Sequence, residues 1–118
     1  MVEVKYDETG FAAIIGQLIQ QKLEDPRKAT MAKDIRGRIV IDVRDMGVAA
    51  TVEFESDRIV VRNGKVGENY AEISADFETI NSLATGEIGT LGVLKLMLKG
   101  KLKIRGIGMA GKFQSILS

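Results

Sequence analysis

The chain has 118 residues, a formal net charge of +1, and no histidine, cysteine or tryptophan. Hydrophobic residues make up 45% and charged residues 28%, and with this length the composition predicts a single domain over residues 1–118. The missing residue types exclude disulfides, ordinary zinc sites, and Ser-His-Asp or Cys-His catalysis. Apolar runs are too short for a membrane span and the first ten residues are charged, so we expect a soluble, cytoplasmic protein.

The first third of the chain has a helical period. Apolar residues recur at three-and-four spacing over about 9–23, which predicts an amphipathic helix with Asp7 or Thr9 as its N-cap. The pair Asp25-Pro26 then offers an N-cap followed by a residue suited to the first helical position. We therefore predict a second, short helix directly after the first.

The period then changes to two, which is typical of strands that are buried on one face. The alternation predicts three strands, joined by short turns as an antiparallel meander, at about 38–44, 48–55 and 58–62. Asn63-Gly64 closes the third strand with residue types suited to positive φ. A fourth strand follows at about 70–76.

The last third mixes helices with one strand. Asp76 is placed to cap a helix that runs through Leu83 and stops at Gly86. We then predict a more apolar helix at about 91–99, a strand at about 101–105 and a terminal helix. The predicted order is α-α-β-β-β-β-α-α-β-α.

A glycine motif follows the last predicted strand: Gly106-Ile107-Gly108-Met109-Ala110-Gly111 spells GxGxxG. Dinucleotide-binding folds require, after such a motif, a second parallel strand and an acidic residue about twenty positions on. Only seven residues follow Gly111. We interpret the glycines as a tight turn and a close contact between helix and sheet, and expect no cofactor.

Charge is divided unevenly along the chain. Residues 88–118 contain six cations and no acid and so carry +6, whereas residues 1–87 carry −5. One interpretation is a solvated helix face followed by a lysine-protected edge strand. The other is a surface that contacts the headgroups of an anionic membrane. Nucleic acid is not expected as a partner, because no aromatic residue interleaves with these cations.

The acidic residues on or beside the predicted strands remain as candidates for acid–base chemistry, since paired carboxylates can perform it alone. They mostly alternate with apolar residues, as expected for an exposed face, and nothing pairs two of them in a cleft: Asp42, Asp45, Glu53, Glu55 and Asp57. We expect neither an enzyme nor a metal site.

The segment 91–98 has too few polar positions for a helix with one face in water, so it is predicted to be covered on nearly all sides. It is either a central core helix or the wall of a cavity for an apolar ligand. Met97 and Met109 suit the second alternative, because thioether side chains repack around variable shapes. Composition leaves both alternatives open.

Several segments, in order and spacing, resemble the sterol carrier protein type 2 domain family. The acidic residue that opens a helix after a strand is Asp76, and the Thr-Gly near the helix end is Thr85-Gly86. The remaining segments are Asp25-Pro26, Gly37-Arg38-Ile39, Gly100-Lys101-Leu102-Lys103-Ile104, and Met109 through Leu117. The resemblance implies a five-stranded, mostly antiparallel sheet covered by helices, with an apolar tunnel between them. It also implies binding and movement of lipids.

We therefore expect an α+β, non-catalytic domain that carries a lipid, whether fatty acid, acyl-CoA, phospholipid or sterol. The candidate lining residues, from apolar faces and family analogy, are Val52, Phe54, Phe77, Leu83, Leu91, Leu94, Met97, Leu98, Met109, Phe113 and Leu117. The candidates for membrane or headgroup contact are Lys95, Lys99, Lys101, Lys103 and Arg105. The alternative is a protein-interaction module that serves a lipid-metabolising enzyme, or that pairs with a second copy as a homodimer.

Overall fold

The structure is a computed structural model, and it describes residues 2–68, 70–84 and 90–117. Its strands are β1 (Glu3–Tyr6), β2 (Gly37–Val43), β3 (Val48–Phe54), β4 (Arg58–Asn63), β5 (Ala71–Ala75) and β6 (Leu102–Arg105). Its helices are α1 (Gly10–Lys22), α2 (Pro26–Lys33), α3 (Phe77–Ala84), α4 (Thr90–Leu98) and α5 (Ile107–Leu117). The predicted elements are all present, and the fold is of the α+β class; the predicted stop of the helix at Gly86 lies outside the described residues.

The strands form one mixed sheet in the order β1-β4-β3-β2-β5-β6. The predicted meander is confirmed, because β2 pairs antiparallel with β3, and β3 with β4. β5 lies parallel to β2 with Val43 opposite Ala75, and β6 returns antiparallel with Leu102 opposite Ala75. The ends of β2 and β5 therefore meet the start of β6 at one end of the sheet.

The sheet has six strands where five were expected, because β1 precedes the first predicted helix. β1 pairs parallel with β4, with Tyr6 opposite Val61. Val4 and Tyr6 alternate with Glu3 and Lys5, so a strand pattern is present, but the partner of β1 is β4, more than fifty residues later. Gly16 of α1 permits the arrangement, since a Cβ there would lie 2.3 Å from Cγ of Tyr6.

Helices and sheet share one apolar core. α1 packs against β1, β3 and β4, α5 packs against β5, β6 and the helices α1, α2 and α3, and α4 packs against β6. The inward side chains of β2 are Ile39, Ile41 and Val43, all nearly fully buried. Among the described helices, none is long and apolar enough to cross a membrane.

The opposite face of the sheet is closed by the connection between β4 and β5. Thr51 is 1% exposed, and its hydroxyl donates to the Gly64 carbonyl at 2.7 Å and accepts from the Val66 amide at 2.9 Å. Lys65 lies 3.2 Å from Glu72, and this hydrogen-bonded carboxylate raises the pKa of Lys65. Val40 is thereby fully buried although it points away from the core.

The glycine motif forms the tight turn that the sequence predicts, but its close contact is between this turn and β5 and not between the helix and the sheet. Gly106 has φ +76°, and a Cβ on it would lie 2.9 Å from Cβ of Ala71 on β5. α5 begins at the next residue, Ile107. Gly106 is thus required where strand, turn and neighbouring strand approach one another, whereas Gly108 and Gly111 have open space around them.

Candidate functional site

An apolar cluster lies between α5 and the sheet. The ring of Phe113 on α5 meets the ring of Phe54 on β3 edge to face, with centroids 5.9 Å apart and an interplanar angle of 76°. Val52 beside Phe54 is fully buried, and Leu117 lies in the same core. Edge-to-face aromatic pairs stabilise a core beyond the area they bury, so this part of the cluster is a firmly packed wall.

The margin of the cluster toward α4 and β6 is packed less completely. Ten apolar side chains of the described residues are half-buried and rest against the core, and four of them come from these two elements and from α5: Leu96 and Met97 on α4, Ile104 on β6, and Met109 on α5. The Met109 sulfur would lie 3.6 Å from a Cβ built on Gly37. Unbranched, polarizable side chains of this kind can adjust to an added apolar surface.

The structure separates the predicted lining residues into three groups. Val52, Phe54, Phe113 and Leu117 are buried, and Met97 and Met109 are half-buried at the margin. Phe77 and Leu98 are at the surface, with exposed fractions of 44% and 89%. The side chains of Leu83, Leu91 and Leu94 lie outside the described part of the structure.

The exposure of Leu98 contradicts part of the prediction for the segment 91–98. The segment 91–98 was expected to be covered on nearly all sides, but its last residue is not. The helix ends there: the Lys101 amide donates to the Leu96 carbonyl at 3.0 Å, and Gly100 takes φ +73°. This C-terminal turn leaves Leu98 beyond the cover that β6 gives to α4.

Sequence analysis did not select Leu96, Leu102 or Ile104. Leu102 is 1% exposed and Ile104 is half-buried, and both point to the core side of β6. The signal was present, since these two apolar residues alternate with Lys101, Lys103 and Arg105. The prediction for this strand relied on its basic residues, which mark the outer face, and left its apolar face unassigned.

The predicted basic residues are all exposed, and they lie on or beside two elements, α4 and β6. Lys95 and Lys99 lie at the end of α4, and Lys101 directly precedes β6. Lys103 and Arg105 project from β6 on the outer face of the sheet. Arg105 stacks over the Tyr70 ring at 4.9 Å and donates to the Tyr70 carbonyl at 3.2 Å.

A surface pocket of about 410 Å³ lies where β2, β5 and β6 meet, lined by Arg44, Asp45, Asp76 and Lys101. Arg44 donates to the Lys101 carbonyl at 2.7 Å, and Asp45 accepts from the Phe77 amide at 2.9 Å. Asp76 accepts from the Thr79 amide at 2.8 Å. Hydrogen bonds from the side chain and the amide of Thr79, with Lys101 and Arg44 nearby, lower the pKa of Asp76.

The acidic residues of the sheet make contacts that hold the fold together. Asp42 accepts from the Ser74 hydroxyl at 3.1 Å, and Glu53 lies 3.4 Å from Arg38 and 3.5 Å from Arg62. Glu55 is paired with Arg58 at 2.7 Å. Within the described residues, no three acidic side chains are grouped closely enough to hold a metal ion.

A family model, that of the SCP-2 sterol transfer family, matches residues 15–118. No curated protein matches the chain by sequence. Among solved structures, the chain is similar to one titled UbiJ-SCP2, ubiquinone synthesis protein, with a TM-score of 0.70, 16% identity, and 90% of each chain covered. It is similar to the sterol carrier protein domain 2 of Helicoverpa armigera, with a TM-score of 0.64, 16% identity, and 87% and 84% covered.

A third similarity is to part of an enzyme. The sec-alkylsulfatase Pisa1 from Pseudomonas sp. matches with a TM-score of 0.57 and 16% identity, over 69% of this chain and 13% of the enzyme. At such identities the structures establish a shared fold. They also show that this fold occurs both in chains of similar length and as a small part of a larger enzyme.

Proposed function

The chain belongs to the SCP-2 sterol transfer family, and on that premise we propose that it binds a lipid between sheet and helices and carries it without changing it chemically. The ligand is a fatty acid, acyl-CoA, phospholipid or sterol. The observation that carries the proposal is that Leu96, Met97, Ile104 and Met109 are only half-buried against the core that contains the Phe54–Phe113 pair. The cytoplasmic location expected from the sequence stays a prediction.

The energetics of such a site require no reactive group. An acyl chain that buries on the order of 400 Å² of apolar surface gains about 10 kcal/mol before the losses of association are subtracted. Half-buried side chains at the margin already have part of their surface in water. A ligand that covers them replaces this water contact by apolar contact, and binding to the folded state alone raises the melting temperature.

The first experiment is mass spectrometry of lipid extracted from the purified protein, together with melting temperature against added fatty acid, acyl-CoA and sterol. Met97→Glu places a charge in the margin and is expected to abolish both the bound lipid and the shift. Met31→Glu is the matched control, because Met31 lies on α2 and is 38% exposed. Absence of bound lipid and of any shift in the unmodified protein would refute the proposal.

We also propose that Lys95, Lys99, Lys101, Lys103 and Arg105 contact anionic headgroups when the protein delivers or collects its ligand. The exposure of all five cations supports this. Lys99, Lys101 and Lys103 changed together to Glu should remove most binding to phosphatidylserine vesicles, and the same change at Lys5, Lys22 and Lys33 should not. Salt should weaken binding by the unmodified protein, and binding that ignores salt would contradict the electrostatic contact.

The second candidate function is a module that serves a lipid-metabolising enzyme. Two similarities favour it: one solved structure is titled a ubiquinone synthesis protein, and another places this fold within an alkylsulfatase. This function predicts an exposed apolar docking patch and stable association with a partner protein or a second copy. Light scattering of the purified chain tests the homodimer, and lipid extraction separates this function from carriage, since a pure docking module retains no lipid.

A further inference from the structure

Three exposed apolar residues lie next to, or within three positions of, residues that line the pocket of Arg44, Asp45, Asp76 and Lys101. Met46 follows Asp45 and is 58% exposed, and Phe77 follows Asp76 and is 44% exposed. Leu98, in the last turn of α4 before Lys101, is 89% exposed. Six large apolar side chains of the described residues are exposed to this degree, and half of them belong to the three segments that supply the pocket lining. We call Met46, Phe77 and Leu98 the docking rim.

Hydrogen bonds connect the three segments that carry the docking rim. The Asp45 side chain accepts from the Phe77 amide at 2.9 Å, which ties the β2–β3 turn to the start of α3. Arg44 donates to the Lys101 carbonyl at 2.7 Å, and the Lys101 amide donates to the Leu96 carbonyl at 3.0 Å, which ties the same turn to the end of α4. The three apolar side chains therefore come from segments that are hydrogen-bonded to one another at one end of the molecule.

Cations accompany the docking rim. Lys95 and Lys99 lie within one helical turn of Leu98, and Arg44 and Lys101 line the pocket itself. Among the described residues, the acids of these segments are Asp45, Asp76 and Glu78, and the first two already accept amide hydrogen bonds at the start of α3. Exposed apolar tips among cations fit an anionic bilayer, where cations meet headgroups and apolar side chains enter the acyl boundary.

We propose that the protein docks on an anionic membrane with this end of the sheet first, the docking rim inserted and Arg44, Lys99 and Lys101 at the headgroups. The inference deepens the membrane contact proposed above and rests on it for the choice of partner. It specifies how the protein is oriented on the membrane. It also adds insertion of apolar side chains, a contribution to binding that salt does not screen. Burial of one Leu-sized side chain corresponds to roughly a tenfold change in partitioning.

The absence of native cysteine allows single labels to report the orientation. Met46→Cys, Phe77→Cys and Leu98→Cys, each carrying an environment-sensitive fluorophore, are mixed with phosphatidylcholine vesicles with and without phosphatidylserine. Ile107→Cys is the matched control: Ile107 is 67% exposed and follows β6 at the end of the strand opposite Lys101. The rim labels should enter an apolar environment only with phosphatidylserine, and the Ile107 label should stay in water.

Binding measurements complete the test. Met46, Phe77 and Leu98 changed together to Ser should weaken binding to phosphatidylserine vesicles at high salt at least tenfold. The same change at the other three exposed apolar residues, Ile14, Met31 and Ile107, should leave it unaltered. Circular dichroism establishes that the rim variant is folded.

The outcomes are separable from those for lipid carriage. Rim labels that stay in water on vesicles, insertion of the Ile107 label instead, or unchanged binding by the rim variant each overturn the inference. If the emission of a rim label shifts without vesicles, at protein concentrations where light scattering shows dimers, the rim contacts a second copy. This result also overturns the inference. If fatty acid does not raise the melting temperature of the unmodified protein, lipid carriage alone is refuted. The result on membrane docking is not affected.

Discussion

Asn63 joins the end of β4 to the start of α1. Its side-chain oxygen accepts from the Ala12 amide at 2.9 Å, its side-chain nitrogen donates to the Thr9 carbonyl at 2.7 Å, and its own amide donates to Asp7 at 2.9 Å. Thr9 occupies the N-cap position but makes no capping hydrogen bond with its side chain. The cap of α1 therefore comes from a residue 51 positions away from the amide that it satisfies.

Asn63→Ala is expected to lower the free energy of unfolding by about 1–2 kcal/mol, because it leaves the Ala12 amide without its acceptor. Thr9→Ala, the variant that sequence reasoning would choose, should cost less than about 0.5 kcal/mol. Urea denaturation of both variants measures the difference. A larger loss from Thr9→Ala than from Asn63→Ala would show that the cap is local after all.

The contrast between caps explains what local sequence can reveal. Asp25 accepts from the Arg27 amide at 2.9 Å with Pro26 at the first helical position, as predicted. Asp76 accepts from the Thr79 amide, again as predicted. Both caps lie within three residues of their donors, so the pattern is readable along the chain. Asn63 was interpreted only as part of a turn, since nothing local indicates α1 as its partner.

At the scale of elements, α3 depends on the ionisation of its cap. The hydrogen bonds from Thr79 and the nearby cations lower the pKa of Asp76 in the folded state. A lowered folded pKa means that the cap stabilises the protein above the unfolded pKa, and that this stability is lost as pH falls through the folded value. α3 should therefore weaken as the solution is acidified below about pH 4.

Asp76→Asn tests this dependence, because asparagine can cap a helix but does not titrate in this range. The unmodified protein should lose protection of the Thr79 amide against hydrogen exchange as pH falls, after correction for intrinsic exchange. The variant should show a flatter profile. Equal acid dependence in both proteins would contradict a titrating cap at Asp76.

Elements with a sustained apolar pattern were predictable, whereas β1 was not. β2 to β5 each alternate over five or more residues, and α1 repeats its apolar spacing over three turns, so all five follow from the sequence. β1 has only four residues and no local partner. The candidate site was predictable only in part, because burial of Phe54 and Phe113 follows from apolar faces, whereas exposure of Leu98 follows from where α4 ends against β6.

The two edge strands of the sheet, β6 and β1, differ in their contacts and in the roles that we propose for them. β6, at one edge, carries basic residues outward and apolar residues inward beside the proposed lipid site. β1, at the other edge, lies outside the family match, which begins at residue 15. β1 covers the backbone of β4, with the Glu3 amide donating to the Asp57 carbonyl at 2.9 Å and the Asp7 amide to the Val61 carbonyl at 3.0 Å.

Removal of residues 1–6 should therefore lower stability and expose the edge of β4 to pairing with another chain. We expect a lower urea midpoint and self-association that rises with protein concentration, measured by light scattering. Tyr6→Ala is the control, because it removes the ring over Gly16 and about 2 kcal/mol of stability but leaves the β1 backbone on β4. A truncated chain that stays monomeric at the concentrations tested would show that β1 does not protect this edge, and retained lipid binding by that chain would place the site at the β6 side.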